Sequence, residues 1–210
     1  MATSIEPPEP KYPRRRLDNL SDGIFGVAMT LLVLEVRIPD GIHPTTDQAL
    51  LDTLASLLPK IGPYALSFVI LAIRWRELVA ERVTDDLVDK RHVNWMLANL
   101  LLVTFVPFST LLIGSYASLA PADWLYAGNL AGMALCTWLA NRSAVSIAEP
   151  RAVRTAGMLV FVSSAVLTVG LSFLHTPWAP MGFMLNALSL PIERWVRERE
   201  AGRAASGPRP

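Results

Sequence analysis

The sequence has a single cysteine, Cys136, and it lies inside an apolar run. A disulfide framework or a cysteine metal site within one chain is therefore excluded. Charge is also scarce: 18% of residues are Asp, Glu, Lys or Arg, where ordinary soluble domains carry about 25%. The three histidines, His43, His92 and His175, fall at loops or at the borders of apolar runs. No His-x-x-x-His pair, phosphate-binding loop or Gly-rich dinucleotide motif occurs. No Ser–His or paired-carboxylate arrangement lies inside an apolar run. An enzyme is not expected, nor is a cofactor. The Thr-Val-Gly-Tyr-Gly filter of the usual potassium channels is missing too, which excludes a carbonyl filter of that type.

What the sequence has instead is apolar length. Hydrophobic residues make up 52% of the chain and gather into long runs separated by short polar segments. That is the pattern of membrane-spanning helices, each of which needs about 20 apolar residues. Residues 1–13 are rich in proline and glutamate and have no apolar core. They are expected to form a disordered cytoplasmic N-terminus, with no secretory signal peptide. A six-span domain is expected over 14–199 and a disordered, basic cytoplasmic tail over 200–210. The spans are predicted at 20–38, 60–79, 93–116, 124–146, 151–174 and 181–196. A short amphipathic helix at 46–58 precedes the second span, with Pro59 and Pro63 expected at or just before that span's first turn. Residues 84–91 read as a charged connector, Pro121 and Asp123 as a loop, 175–180 as a turn, and Pro107 as a kink in the third span.

Charge gives the orientation. With six spans and a cytoplasmic N-terminus, 17 of the 19 Lys and Arg residues fall on the cytoplasmic side, and only Arg37 and Lys60 fall outside. The positive-inside rule requires such a bias. The fold class is thus an all-α membrane protein with six transmembrane helices and both termini cytoplasmic. Its expected location is the plasma membrane, as a multi-pass protein. The basic clusters lie at membrane borders, so orientation and anionic lipid account for them and no nucleic acid is needed.

The first span is the most informative. Residues 23–34 carry no charge, yet Asp22 and Glu35 bracket them, and a carboxylate facing lipid is costly. This helix therefore faces protein or water. On a helical wheel, Leu31 lies about 40° to one side of Val27 and Leu34 about 20° to the other, with Thr30 adjoining at about 60°. Val27, Leu31 and Leu34 form an apolar stripe three turns tall. Such stripes most often pack against another helix. The sharper alternative is a narrow apolar pore that gates ions by dewetting, with polar mouths at Asp22 and Glu35. Ser21 and Asp22 could cap a helix, or Asp22 could join a buried polar cluster with a cation such as Arg16. Among other polar residues inside spans, Asn99 is the best candidate for an interhelical bond.

Three stretches together resemble a known family. Arg16-Leu-Asp-Asn-Leu20-Ser21-Asp22-Gly23 resembles the Arg-x-x-x-Phe-Ser-Asp signature of the endolysosomal potassium channel family, transmembrane protein 175, and its prokaryotic members. Thr30-Leu31-Leu32-Val33-Leu34-Glu35 fits the rest of that helix. Tyr64-Ala-Leu-Ser67-Phe68 followed by Trp75, and Asn99 followed by Val106-Pro107-Phe108-Ser109-Thr110, are similar to the second and third spans. The resemblance covers about half the chain. Two positions depart from it: Leu20 stands for the signature Phe, and Leu78 for a His expected after the second-span Trp.

The resemblance implies a potassium-preferring monovalent cation channel, a homotetramer in the lipid bilayer with the first helices around the axis. It places the hydrophobic constriction at Val27, Leu31 and Leu34, with Thr30 beside it and Glu35 at the outer mouth. Asp22 would then rely on Arg16, Ser21, Trp75 and Asn99 as a structural polar network. No metal is implied beyond permeating potassium. The runner-up is a secondary or proton-coupled cation transporter, which would need a titrating group at mid-membrane. A third reading is a non-conducting membrane protein.

Overall fold

The computed structural model describes residues 11–38, 41–80, 86–116, 118–143, 151–173, 182, 191–192 and 194–199. It is almost wholly helical. The order is strand β1 (Lys11–Pro13), helix α1 (Arg14–Leu31) with a 3-10 extension (Leu32–Glu35), α2 (Asp47–Ala80), strand β2 (Leu87–Asp89), α3 (Lys90–Ser115), α4 (Ala120–Ser143) and α5 (Arg151–Ser172). By length and composition, α1 with its extension, α2 and α3 can each cross a membrane. Most of the predicted sixth span and the tail at 200–210 lie outside the described residues, as do residues 1–10.

Several local expectations are corrected. The segment 11–13 is not disordered: it pairs antiparallel with β2, Lys11 opposite Asp89 and Tyr12 opposite Val88. The charged connector contains that second strand. The amphipathic helix at 46–58 and the second span are one 34-residue helix, with Pro59 and Pro63 inside it. Each proline removes one N–H, freeing only the carbonyl four residues back. A break in this apolar sequence would free several backbone groups at once, so continuing the helix costs less. Thr46 starts the helix, its hydroxyl accepting from the Ala49 N–H at 3.2 Å. Asp123 is not in a loop but in the first turn of α4, and Pro121 lies in that turn as well. Gly41, at φ 91°, turns the chain between α1 and α2 in a conformation that side chains with a Cβ avoid.

The core lies between α1, α2, α3, α4 and α5, with α3 and α4 the most extensively packed pair. Phe25, Leu32, Leu71, Val103, Leu130 and Met133 are fully buried there. Gly132 allows the α3–α4 approach, since a Cβ at that position would meet Leu102 Cδ1 at 2.9 Å. A smaller apolar cluster, Leu17, Met96 and Ala140, closes the other end. There His92 Nδ1 donates to the Ala140 carbonyl at 2.9 Å.

Candidate ion pathway

Helix α1 has two unlike faces. Leu17, Ser21, Phe25, Ala28 and Leu32 recur at intervals of three and four and are buried against the chain's own helices. Val27, Leu31 and Leu34 are 58%, 42% and 63% exposed, and Thr30 is exposed beside them. The stripe expected to be either a packing seam or a pore wall is therefore not used for packing inside this chain. Thr30 Oγ1 donates to the Val27 carbonyl at 2.8 Å, which ties its hydroxyl to the helix. A groove of about 330 Å³ runs along the stripe between α1 and α3, lined by Leu20, Gly23, Val27, Leu31 and Thr104 among others. Its walls are nearly all apolar, so it offers an ion no coordinating ring.

The polar residues expected around Asp22 separate into two groups. Trp75 Nε1 donates to Asp22 Oδ1 at 2.8 Å, which joins α1 to α2. Ser21 does not cap the helix: it is buried and donates back to the Leu17 carbonyl at 2.9 Å. Arg16 is exposed and forms no ion pair with Asp22. Six residues apart, the two lie about 120° round the helix from one another. Asn99 is buried elsewhere, its Oδ1 accepting from Thr137 Oγ1 at 3.4 Å. Glu35 is half-buried at the end of the 3-10 extension. Leu78, in the place of the expected His, packs against both apolar clusters.

Two further polar sets escaped the sequence reading. Arg74 donates to Glu77 Oε2 at 2.6 Å and to Thr137 Oγ1 at 3.0 Å, with its guanidinium 5.2 Å from the centre of the Phe161 ring. In the sequence it reads only as a border charge. Ser67 Oγ and Tyr126 Oη share a hydrogen bond of 2.9 Å, and Thr110 Oγ1 donates to Ser67 at 2.7 Å, all three buried. Ser67 and Thr110 both lie in the stretches that carried the family resemblance, and that was the available signal.

Residues 16–107 match the family model of the endosomal/lysosomal potassium channel TMEM175. Over that stretch the chain is similar to the TMEM175 family. The match begins at Arg16 and ends at Pro107, so it contains the α1 stripe, the Asp22–Trp75 pair and Asn99. Among curated relatives, a potassium channel of Chamaesiphon minutus is 35% identical over 53% of the chain and 54% of its own length. A potassium channel of Streptomyces collinus is 28% identical over 77% of the chain and 84% of its own length. The endosomal/lysosomal proton channel TMEM175 of Gallus gallus is 30% identical over 48% of the chain, which spans 20% of that longer protein. The crystal structure of a lysosomal potassium-selective channel TMEM175 homolog from Chamaesiphon minutus superposes with a TM-score of 0.64 at 28% identity. That superposition covers 84% of this chain and 94% of the other. A variant of the potassium channel MtTMEM175 shares the fold at a TM-score of 0.53 and 16% identity, over 96% of this chain and all of the other.

Proposed function

We propose that the protein is a potassium-preferring monovalent cation channel of the plasma membrane, built as a homotetramer of six-span chains with both termini cytoplasmic. The observation that carries this reading is the exposed, uncharged stripe of Val27, Leu31 and Leu34 on a helix whose opposite face is fully engaged by its own chain. One copy of α1 cannot enclose a pathway. Around a fourfold axis, the stripes supply stacked apolar rings. An ion passing them sheds or compresses its hydration shell without a charged ring to compensate, so the rings form the barrier and the gate. Potassium, more weakly hydrated than sodium, crosses such a barrier more readily. Thr30 adjoins the rings, and Glu35 raises the local cation concentration at the outer mouth. The potassium channel names of two bacterial relatives support the same activity.

A proton pathway is a second reading, favoured by one observation: the Gallus gallus relative is named a proton channel. A secondary or proton-coupled transporter fits less well, since Asp22 and Glu35 stand at the ends of the apolar stretch and not at its middle. Single-channel recording of the reconstituted protein, with potassium on one side and sodium on the other, tests all of these. Unitary currents reversing toward the potassium potential support the channel. Proton-dependent saturable transport without unitary currents supports the carrier. Currents that reverse with the proton gradient support the proton pathway.

A further inference from the structure

Arg74 is the first charged residue of α2 after Lys60, and it lies inside the predicted second span. On a helical wheel it stands within about 60° of Ser67, Ile70, Leu71 and Leu78, so it occupies the face that α2 turns to the core. Its side chain is 12% exposed. A cation in such a place is costly unless it is paired and hydrogen-bonded. Glu77 supplies the opposite charge at 2.6 Å, Thr137 Oγ1 of α4 accepts a second bond at 3.0 Å, and the guanidinium lies over the Phe161 ring of α5. The single hydroxyl hydrogen of Thr137 has two acceptors in reach, the Met133 carbonyl at 3.0 Å and Asn99 Oδ1 of α3 at 3.4 Å. The next residue, Trp75, meets α1 through its bond to Asp22. Two consecutive residues of α2 thus touch α1, α4 and α5, and through Thr137 they reach α3.

A buried ion pair is weak support for stability, because lost hydration offsets most of the attraction. What it fixes here is geometry. The guanidinium is a planar fork with donors in set directions, so its partners are met only over a narrow range of helix rotation. Apolar side chains in the same place would pack over a wider range. Rotation matters because a turn of about 20° carries a side-chain tip, at a radius of about 6 Å, through about 2 Å. That is enough to break the 2.8 Å bond from Trp75 to Asp22. Trp75 stands about 100° round α2 from Arg74. The rotation that seats Arg74 on α4 and α5 is therefore the one that aims the indole at α1. Ser67 also holds α2, through Tyr126 and Thr110, but about 10 Å further along the helix.

We propose that Arg74 is a positioning residue for the ion pathway: with Glu77 and Thr137 it sets the rotation of α2, which seats Trp75 against Asp22 and so fixes the Val27, Leu31 and Leu34 wall of α1. Arg74 is not on that wall. Its influence passes through Asp22 to Val27, about 8 Å further along α1. The proposal rests on the channel reading above.

The test uses the full-length chain in liposomes, with potassium on one side and sodium on the other. The potassium-to-sodium permeability ratio is read from the reversal potential. Arg74→Met with Glu77→Met removes both charges and leaves neither buried and unpaired. The expected result is a ratio roughly threefold lower with little change in the thermal midpoint. A merely structural role would move the midpoint and leave the ratio. Trp75→Phe should lower the ratio by a similar factor. Adding the pair substitution to it should lower the ratio no further, because both act through the same bond. Thr137→Val removes the oxygen that Arg74 donates to and nearly keeps the shape. It should lower the ratio too, and it serves if the pair variant does not fold. A ratio unchanged in the pair variant or in Thr137→Val overturns the proposal and leaves the channel reading standing. So does a fully multiplicative effect of the pair substitution on Trp75→Phe, which would mean a route that bypasses Asp22. Absence of unitary cation currents from the unsubstituted protein removes the channel reading, and the proposal with it.

Discussion

The indole N–H of Trp75 donates to Asp22 Oδ1 across 2.8 Å and fastens the helix bearing the open stripe to α2. The position of α1 depends on this bond together with the packing of Phe25, Ala28 and Leu32. A hydrogen bond to a charged acceptor contributes about 1.5–3 kcal/mol when buried and less when solvent reaches it, as it does here. Trp75→Phe should therefore lower the thermal midpoint of the purified protein in detergent by a few degrees. Asp22→Asn, which keeps an acceptor oxygen, should lower it less. Equal effects from both substitutions would show that the carboxylate charge, and not the bond, is what matters.

Replacing Leu31 with Asn, or Val27 with Ala, should raise cation flux into liposomes and weaken the preference for potassium over sodium. Both side chains are exposed in the single chain, so neither change opens a cavity in its core. Unchanged flux in a correctly assembled variant would remove these residues from the pathway.

Arg74 and Glu77 are a close pair, with side chains 12% and 24% exposed. Removing one partner leaves the other half-buried and unpaired. Arg74→Met should thus destabilise the fold, by about 1–3 kcal/mol after allowing for the solvent that reaches Glu77. Arg74→Met combined with Glu77→Met should cost less than the sum of the single changes. Thermal unfolding of the four proteins of that cycle gives the coupling, and strict additivity would mean that the pair contributes nothing.

Tyr126 is fully buried, and Ser67, also buried, receives a second bond from Thr110. Tyr126→Phe removes the hydroxyl but keeps the ring. We expect a loss of about 1 kcal/mol, seen as a lower thermal midpoint with ion selectivity unaltered, because this cluster lies on the α2–α3–α4 side and not on the open stripe. A selectivity change would mean that the cluster positions α1 as well.

Helices one to five were legible because apolar length and proline or charge punctuation are local signals. The period of the α1 stripe was legible because it is local too, and the structure leaves that stripe exposed. The fusion of the amphipathic helix with the second span was not, because proline reads as a boundary in sequence while its cost in place depends on what a break would expose. Nor could the sequence separate Asn99 from Asp22. Both are polar residues on facing spans, but their partners, Thr137 and Trp75, are chosen by helix rotation that no local pattern records. The paired strands β1 and β2 join segments about 75 residues apart in sequence, and three residues each carry no periodicity strong enough to announce them.

That small sheet constrains how the protein can move. β1 runs without a break into α1, β2 runs into α3, and the Arg14 N–H adds a bond to the Asp86 carbonyl at 2.9 Å. The N-terminal foot of α1 is thereby pinned to the N-terminal foot of α3. Any movement of α1 away from the rest of its chain must then be a pivot about that fixed foot, with the displacement growing toward Leu34, unless α1 and α3 swing together as one rigid lever.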